Sequence, residues 1–154
     1  MKPVVPLLGA SLQAVRAHRA ELGESIAALQ QALAAPIPGR VDAWAERVHV
    51  ALVELSADLR EHIDIAEGPQ GLHREVLTTA PRLAGAVRRL VGEHLTLTRL
   101  VEQMMAGLSG PLDGDGVVGT RRRGAALHGR LVRHRQAGAD MVYEAYQTDI
   151  GGET

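Results

Sequence analysis

Apolar residues recur along most of the chain at spacings of three, four and seven, the pattern of a helix that buries one face. Four long segments have this pattern, at about residues 6–35, 41–67, 81–108 and 120–147. Prolines and glycines interrupt it at PIPG, at GPQG and within SGPLDGDGVVG, where a helix cannot easily continue. No segment alternates apolar and polar residues as a half-buried strand does. The pattern predicts an all-α fold in which residues 1–154 form a single domain.

The connections between these segments predict how the helices are arranged. The segment GPQGLHREVLTTA has room for one or two helical turns, and Thr78 or Thr79 is the predicted N-cap of the third helix. The glycines of residues 109–119 predict a flexible loop before the fourth helix. Since the connections are short, neighbouring helices are expected to run in opposite directions. The predicted architecture is an antiparallel up-down four-helix bundle.

Each of the four apolar stripes has one position at which a histidine replaces the expected apolar residue. The four residues are His18, His62, His94 and His134. A buried imidazole without a partner costs roughly 1–3 kcal/mol, so four of them must satisfy one another, bind water or share a ligand. Imidazole is the commonest protein ligand of transition metals, which favours a shared metal ion. The remaining histidines lie off the stripes or in a connector and receive no functional role. They are His49, His73 and His128.

The composition excludes several classes of protein. The 154 residues include no cysteine, which excludes disulfides, thiolate metal sites and cysteine nucleophiles. Seventeen basic residues against 18 acidic ones give a net charge of -1, which argues against binding to nucleic acid. No apolar run reaches the roughly 18 residues of a membrane-spanning helix, and the N-terminal MKPVVPLLGA is too short for a secretory signal. We therefore expect a cytoplasmic protein without a membrane partner.

The stretches around the histidines resemble a known family. With one histidine from each helix, LREHIDIAEG, VGEHLTLTRL and LVRHRQAGADMVYEAY are similar to segments of the hemerythrin-like (HHE cation-binding) family. The resemblance covers about residues 8–147 and depends on single histidines in amphipathic helices. It implies a hemerythrin-like bundle with a non-haem di-iron centre, bridging carboxylates, and binding of oxygen, nitric oxide or peroxide.

The chain departs from the family pattern at two carboxylate positions. The pattern implies a carboxylate one turn after the histidines of the second and fourth helices, but these positions are Ala66 and Gly138. Glu67 comes one residue late and is rotated by about 140° from its histidine, so it reaches the buried face only if the helix end is distorted. Glu67 is nevertheless the favoured carboxylate ligand. Glu21 and Asp58 are weaker candidates.

The small residues at these two positions leave two interpretations open. A glycine inside a helix destabilises it by about 1 kcal/mol relative to alanine, so the surroundings of position 138 are expected to explain why it is a glycine. Either a neighbouring group approaches closely, or empty volume remains beside His134. Such volume would admit water or an exogenous ligand, or it would mark a site that no longer binds two metals.

The sequence thus predicts a metal site whose ligands are His18, His62, Glu67, His94 and His134. Iron is the expected metal, as two ions or in a variant site, with zinc or manganese as alternatives. The expected partner is a small diatomic ligand or peroxide, with peroxide or nitric oxide handling as the candidate activity. No P-loop, dinucleotide motif or Ser/His/Asp arrangement indicates chemistry on an organic substrate. The alternative hypothesis is a metal-free bundle that acts as an interaction or dimerisation module, with a homodimer as one candidate assembly.

Overall fold

The computed structural model describes residues 4–37 and 39–151, with side chains for 16–37 and 39–147. Every element in this part of the chain is helical, and no strand occurs among the described residues, so the predicted all-α fold is confirmed. The helices are α1 (Val4–Ala34), α2 (Val41–Glu67), α3 (Leu72–Thr79), α4 (Ala84–Gly107) and α5 (Gly114–Gly151). A 3₁₀ turn, Pro81–Leu83, directly precedes α4.

The four long helices form a helical bundle around two apolar clusters. Helix α1 packs against α2 and α5, and α4 packs against the same two helices, while α3 contacts α2 and α5. The first cluster fills the space between all four long helices and includes Leu22, Leu52, Leu97, Leu127 and Leu131. The second cluster joins α3 to α4 and α5 and includes Val76, Val87, Leu90, Met141 and Ala145.

The described helices contain no stretch apolar and long enough to cross a bilayer. Helix α4 shows the reason, since charged residues occur between its apolar ones. Its buried face includes Val87, Leu90 and Val101, whereas charged residues such as Arg99 and Glu102 lie on the exposed face. Each long helix is amphipathic and depends on its neighbours for burial.

Several helix boundaries differ from the prediction, among them the end of α5, which lies at Gly151 and not at about residue 147. Helix α2, by contrast, spans the predicted residues 41–67. Helix α5 begins at Gly114, so the prediction of a flexible loop through residue 119 is wrong. Asp113 explains the early start, because its Oδ1 accepts a hydrogen bond from the Gly116 amide at 2.7 Å. Its carbonyl also accepts one from the Val117 amide at 3.0 Å. This is the geometry of an N-cap, and it compensates for the glycines that follow.

The predicted third helix divides into the 3₁₀ turn and α4. Thr78 and Thr79 end α3 instead of capping the next helix, and Thr78 Oγ1 donates to the Arg74 carbonyl at 2.9 Å. Ala80 separates the two elements with φ −139° and ψ 76°, outside the helical region. A residue that precedes proline is disfavoured in the helical conformation, so Pro81 ends α3 at this point.

The packing of α4 generates a prediction about stability. Leu97 is 2% exposed within the first apolar cluster, whereas Leu95 on the same helix is 68% exposed. We expect Leu97→Ala to lower the free energy of unfolding by about 2–5 kcal/mol, since it leaves a cavity. The matched variant Leu95→Ala should change it by less than about 0.5 kcal/mol. Urea denaturation measures both, and equal losses would contradict this assignment of the buried face.

Candidate metal centre

Four histidines form a polar layer between the two apolar clusters. On α4, His94 lies between Leu90 of the second cluster and Leu97 of the first. Three of the rings are almost fully buried, and the fourth, His62, is half-buried. The layer consists of His18, His62, His94 and His134, one from each long helix. The structure brings these four rings close to one another, and we call this group the histidine layer.

Three of the four imidazoles converge most closely. The ring centroids of His94 and His134 lie 4.8 Å apart, and those of His62 and His94 lie 5.1 Å apart. One nitrogen from each of these three rings lies within 4.8 Å of the other two. We call His62, His94 and His134 the imidazole trio. Neutral imidazole nitrogens at such distances can ligate one transition-metal ion with small adjustments of the side chains.

Two carboxylates form hydrogen bonds with the Nδ1 atoms of two rings of the trio. Glu67 Oε2 accepts a hydrogen bond from His94 Nδ1, and Glu93 Oε1 lies 2.5 Å from His134 Nδ1. With the proton on Nδ1, the Nε2 atoms of His94 and His134 carry the free lone pairs, an assignment that follows from the hydrogen-bond partners. His62 Nε2 then donates to His134 Nε2 across 3.3 Å. A carboxylate behind the imidazole is the usual support of a metal-ligating histidine.

Glu67 lies in the site, where it contacts an imidazole from another helix. It is the last residue of α2, directly before Gly68, whose backbone is extended at φ −60° and ψ 166°. From this helix end its carboxylate reaches His94 on α4, and it does not join the three nitrogens of the trio. Direct ligation of a metal by Glu67 stays a prediction, which this geometry does not favour.

His18 belongs to the histidine layer but is engaged differently. Its ring stacks on His62 with centroids 6.0 Å apart, and its Nε2 donates to the Asp58 carbonyl at 2.9 Å. Its Nδ1 faces Glu21 Oε2 at 3.6 Å and Glu61 Oε2 at 3.9 Å. The nitrogens of His18 therefore point to other groups than the trio. Glu21, one of the weaker candidates, lies within 4.8 Å of both His18 and Glu61 and is not part of the trio.

The other weaker candidate, Asp58, connects two helices. Its carboxylate accepts a hydrogen bond from the hydroxyl of Ser25, which is 7% exposed on α1. This contact links α1 to α2 beside the ring of His18, whose Nε2 bonds the Asp58 main chain. Asp58 thus positions His18 and does not approach the trio.

Two residues of the site were missed by the sequence analysis. His73, given no role there, is 6% exposed on α3, and its ring lies parallel to His94, at 3° and 5.8 Å. Its spacing of three from the buried Val76 was the signal that could have found it. Glu93 precedes His94 in the chain but pairs with His134 on α5. No spacing within one helix reveals such a contact.

The surroundings keep two imidazoles of the trio, His62 and His94, neutral. Burial, together with the neighbouring imidazoles, His94 first among them, lowers the pKa of His62 to about 3. Burial likewise lowers the pKa of His94 to about 3, with further contributions from His134 and His73. A neutral imidazole has the free lone pair that a metal ion requires.

A cavity of about 240 Å³ opens beside the trio, at the two positions where the family pattern implies carboxylates. Ala66 and Gly138 both line it, together with all three rings of the trio. A Cβ atom built on Gly138 meets nothing within 4 Å. Of the two interpretations of Gly138, empty volume beside His134 is therefore the one that holds.

Comparisons with protein-family models, with curated proteins and with solved structures found no match to this chain. The resemblance to hemerythrin-like proteins consequently depends on the spacing of the histidines alone. The function has to be proposed from the geometry of the site.

The lowered pKa values predict how stability depends on pH in the metal-free protein. Between pH 6.5 and about 3, His62 and His94 take up protons when the chain unfolds but stay neutral in the native state. The contribution of these two histidines to the free energy of unfolding should therefore be complete above pH 6.5. The free energy of unfolding should fall as the pH drops below that value. Urea denaturation from pH 7.5 to 4.5 measures this slope.

His94→Gln should reduce the slope, because it removes one of the two protonation sites. His49→Gln provides the matched control on α2, away from the histidine layer, and should leave the slope unchanged. Identical slopes for both variants would contradict the assignment of His94 as a neutral buried group.

Proposed function

We propose that the chain binds a single transition-metal ion through the imidazole trio, His62, His94 and His134. One observation supports this most strongly: His94 Nε2 is buried without any hydrogen-bond partner, while Glu67 holds the opposite nitrogen of the same ring. A buried polar atom without a partner costs roughly 1–3 kcal/mol. A metal ion bound between the three rings would remove that cost.

A single ion is favoured over the two irons of the family pattern. Two irons need carboxylates that bridge them, but Ala66 and Gly138 occupy the expected positions. The carboxylates that do reach the trio, Glu67 and Glu93, are hydrogen bonded to imidazole nitrogens. The donor set is therefore three neutral nitrogens, a variant of the site that the resemblance implies.

Iron is our first candidate for the metal because the resemblance to hemerythrin-like proteins implies it. Zinc comes second, since three imidazoles with an open position also suit zinc. Manganese comes third, because it prefers carboxylate and water ligands to imidazole. The hemerythrin-like up-down arrangement of the helices is part of the same proposal, supported by the short connections between α1, α2 and the following helices.

The residues of the chain would prepare the site in three ways. Glu67 and Glu93 fix the tautomers and orientations of two rings, the apolar clusters on either side limit access of water, and the cavity at Gly138 admits a small molecule. Iron, when bound, would offer a coordination position to oxygen, nitric oxide or peroxide. We propose binding or sensing of such a molecule as the function.

One contact favours the alternative of a metal-free bundle. In the present arrangement His62 donates to His134, and this hydrogen bond uses the nitrogens that a metal would need. Metal binding and this hydrogen bond are therefore mutually exclusive. A chain that kept the hydrogen bond permanently would be an interaction or dimerisation module with a polar layer in its core.

Metal analysis separates the two candidates. We expect protein from iron-supplemented cells to contain a single metal ion per chain, and His94→Ala to lose it. His49→Ala, the control, should keep the wild-type content, with far-UV circular dichroism to check folding. Wild-type protein that stays metal-free after anaerobic addition of iron would support the interaction module. Two irons per chain with an oxo-bridge absorption band would contradict the single-ion site.

The carboxylate behind His134 gives a second test. Glu93→Gln keeps the shape of the side chain but weakens the hydrogen bond to Nδ1, so we expect metal affinity to fall by about 10–100-fold. The matched control is Glu102→Gln, an exposed position on the same helix. Competition against a chromophoric chelator measures both affinities. Equal affinities would show that Glu93 does not support a ligand.

A further inference from the structure

The cavity beside the imidazole trio has an unusual charge distribution. Its volume of about 240 Å³ equals the space of about eight water molecules. Three arginines from two helices line it, Arg16 and Arg19 of α1 and Arg135 of α5. No carboxylate is among its lining residues in the described part of the chain. The cavity is therefore electropositive even before any metal is bound.

Arg135 is the best placed of the three to bind an anion. One Nη donates to the Arg19 carbonyl at 3.3 Å, but Nε is buried without a hydrogen-bond partner. No carboxylate of the described residues forms an ion pair with it. Arg19 lines the same cavity with a second guanidinium group. An anion would stabilise both guanidinium groups.

A glycine on α1 creates the space in which this guanidinium lies. A Cβ atom built on Gly23 would come within 3.1 Å and 3.2 Å of the two Nη atoms of Arg135. Any side chain there would push the guanidinium away from α1. The side chain of Arg135 thus crosses from α5 to α1, along the wall of the cavity, because position 23 is a glycine.

The rest of the wall indicates what kind of anion would fit. Apart from the arginines and histidines, the cavity is lined by apolar side chains, among them Leu72, Leu90, Met141 and Val142. An inorganic anion would leave these surfaces without a partner. A ligand with a short apolar chain and a planar anionic head would match both the apolar wall and the arginines. Its chain would contact the wall, and a guanidinium binds a carboxylate through two parallel hydrogen bonds.

We propose that this cavity binds a small organic carboxylate, whose anionic head pairs with Arg135 and Arg19 and whose apolar part contacts Met141 and Leu72. The two arginines that bind the anionic head are not among the proposed metal ligands, so binding does not require a metal. The carboxylate would share its cavity with the imidazole trio, within which the metal would lie.

Titration of metal-free, ¹⁵N-labelled protein with butyrate tests the proposal. We expect saturable shifts of the amide signals of Gly138, which lines the cavity, and of Gly23, which lies against the guanidinium of Arg135. Arg135→Gln should weaken binding about tenfold or more, since it removes a charged hydrogen-bond donor. Arg122→Gln, an exposed position on the same helix, is the matched control and should bind as the wild type does. Arg19→Gln, which leaves Arg135 in place, is a second variant expected to weaken binding.

Two other compounds define what is recognised. Butyramide has the shape of butyrate without its charge and should bind far more weakly. Equal affinity for both compounds would overturn recognition of the charge, and binding of inorganic phosphate but not of butyrate would overturn the organic ligand. Absence of butyrate binding by the metal-free protein would end this proposal but leave the metal content of the trio unaffected. A failure of metal binding would likewise leave the titration unchanged.

Discussion

The burial of four imidazoles in one layer is the constraint on which the rest of this structure depends. Each ring interrupts an apolar stripe, and its nitrogens need partners that the adjoining leucines cannot supply. The partners come from carboxylates at the rim of the layer. Glu67 and Glu93 keep 31% and 44% of their side-chain surface exposed, so their charges stay partly hydrated while they bond to buried rings. The layer is thus stabilised without complete burial of an ion.

The layer itself could be predicted from the sequence because a helical face is a local property. The position of His94 relative to Leu90 and Leu97 follows from the helical period, with no knowledge of the other helices. The same holds for α2, whose first residue follows PIPG and whose last residue precedes Gly68. What these spacings determine is which side of a helix is buried.

The partners of the rings could not be predicted, because they depend on how the helices are rotated and staggered relative to one another. Glu93 lies beside His94 in the chain but bonds His134 across the bundle, and Glu67 reaches His94 only because α2 ends there. His73 escaped notice because the short helix α3 was treated as a connector. The early start of α5 was hidden by its glycines, although Asp113 supplies the N-cap that compensates for them.

The small residues Ala66 and Gly138 give the two sides of the trio opposite electrostatic character. Carboxylates lie behind two of its rings, whereas the cavity in front contains the guanidinium of Arg135 and no carboxylate among its described lining. A metal ion in the trio would add positive charge to a cavity that already holds several cationic groups. An anion in the same cavity would offset that charge, so the two ligands would stabilise each other. By linkage, each would then raise the affinity of the protein for the other by the same factor.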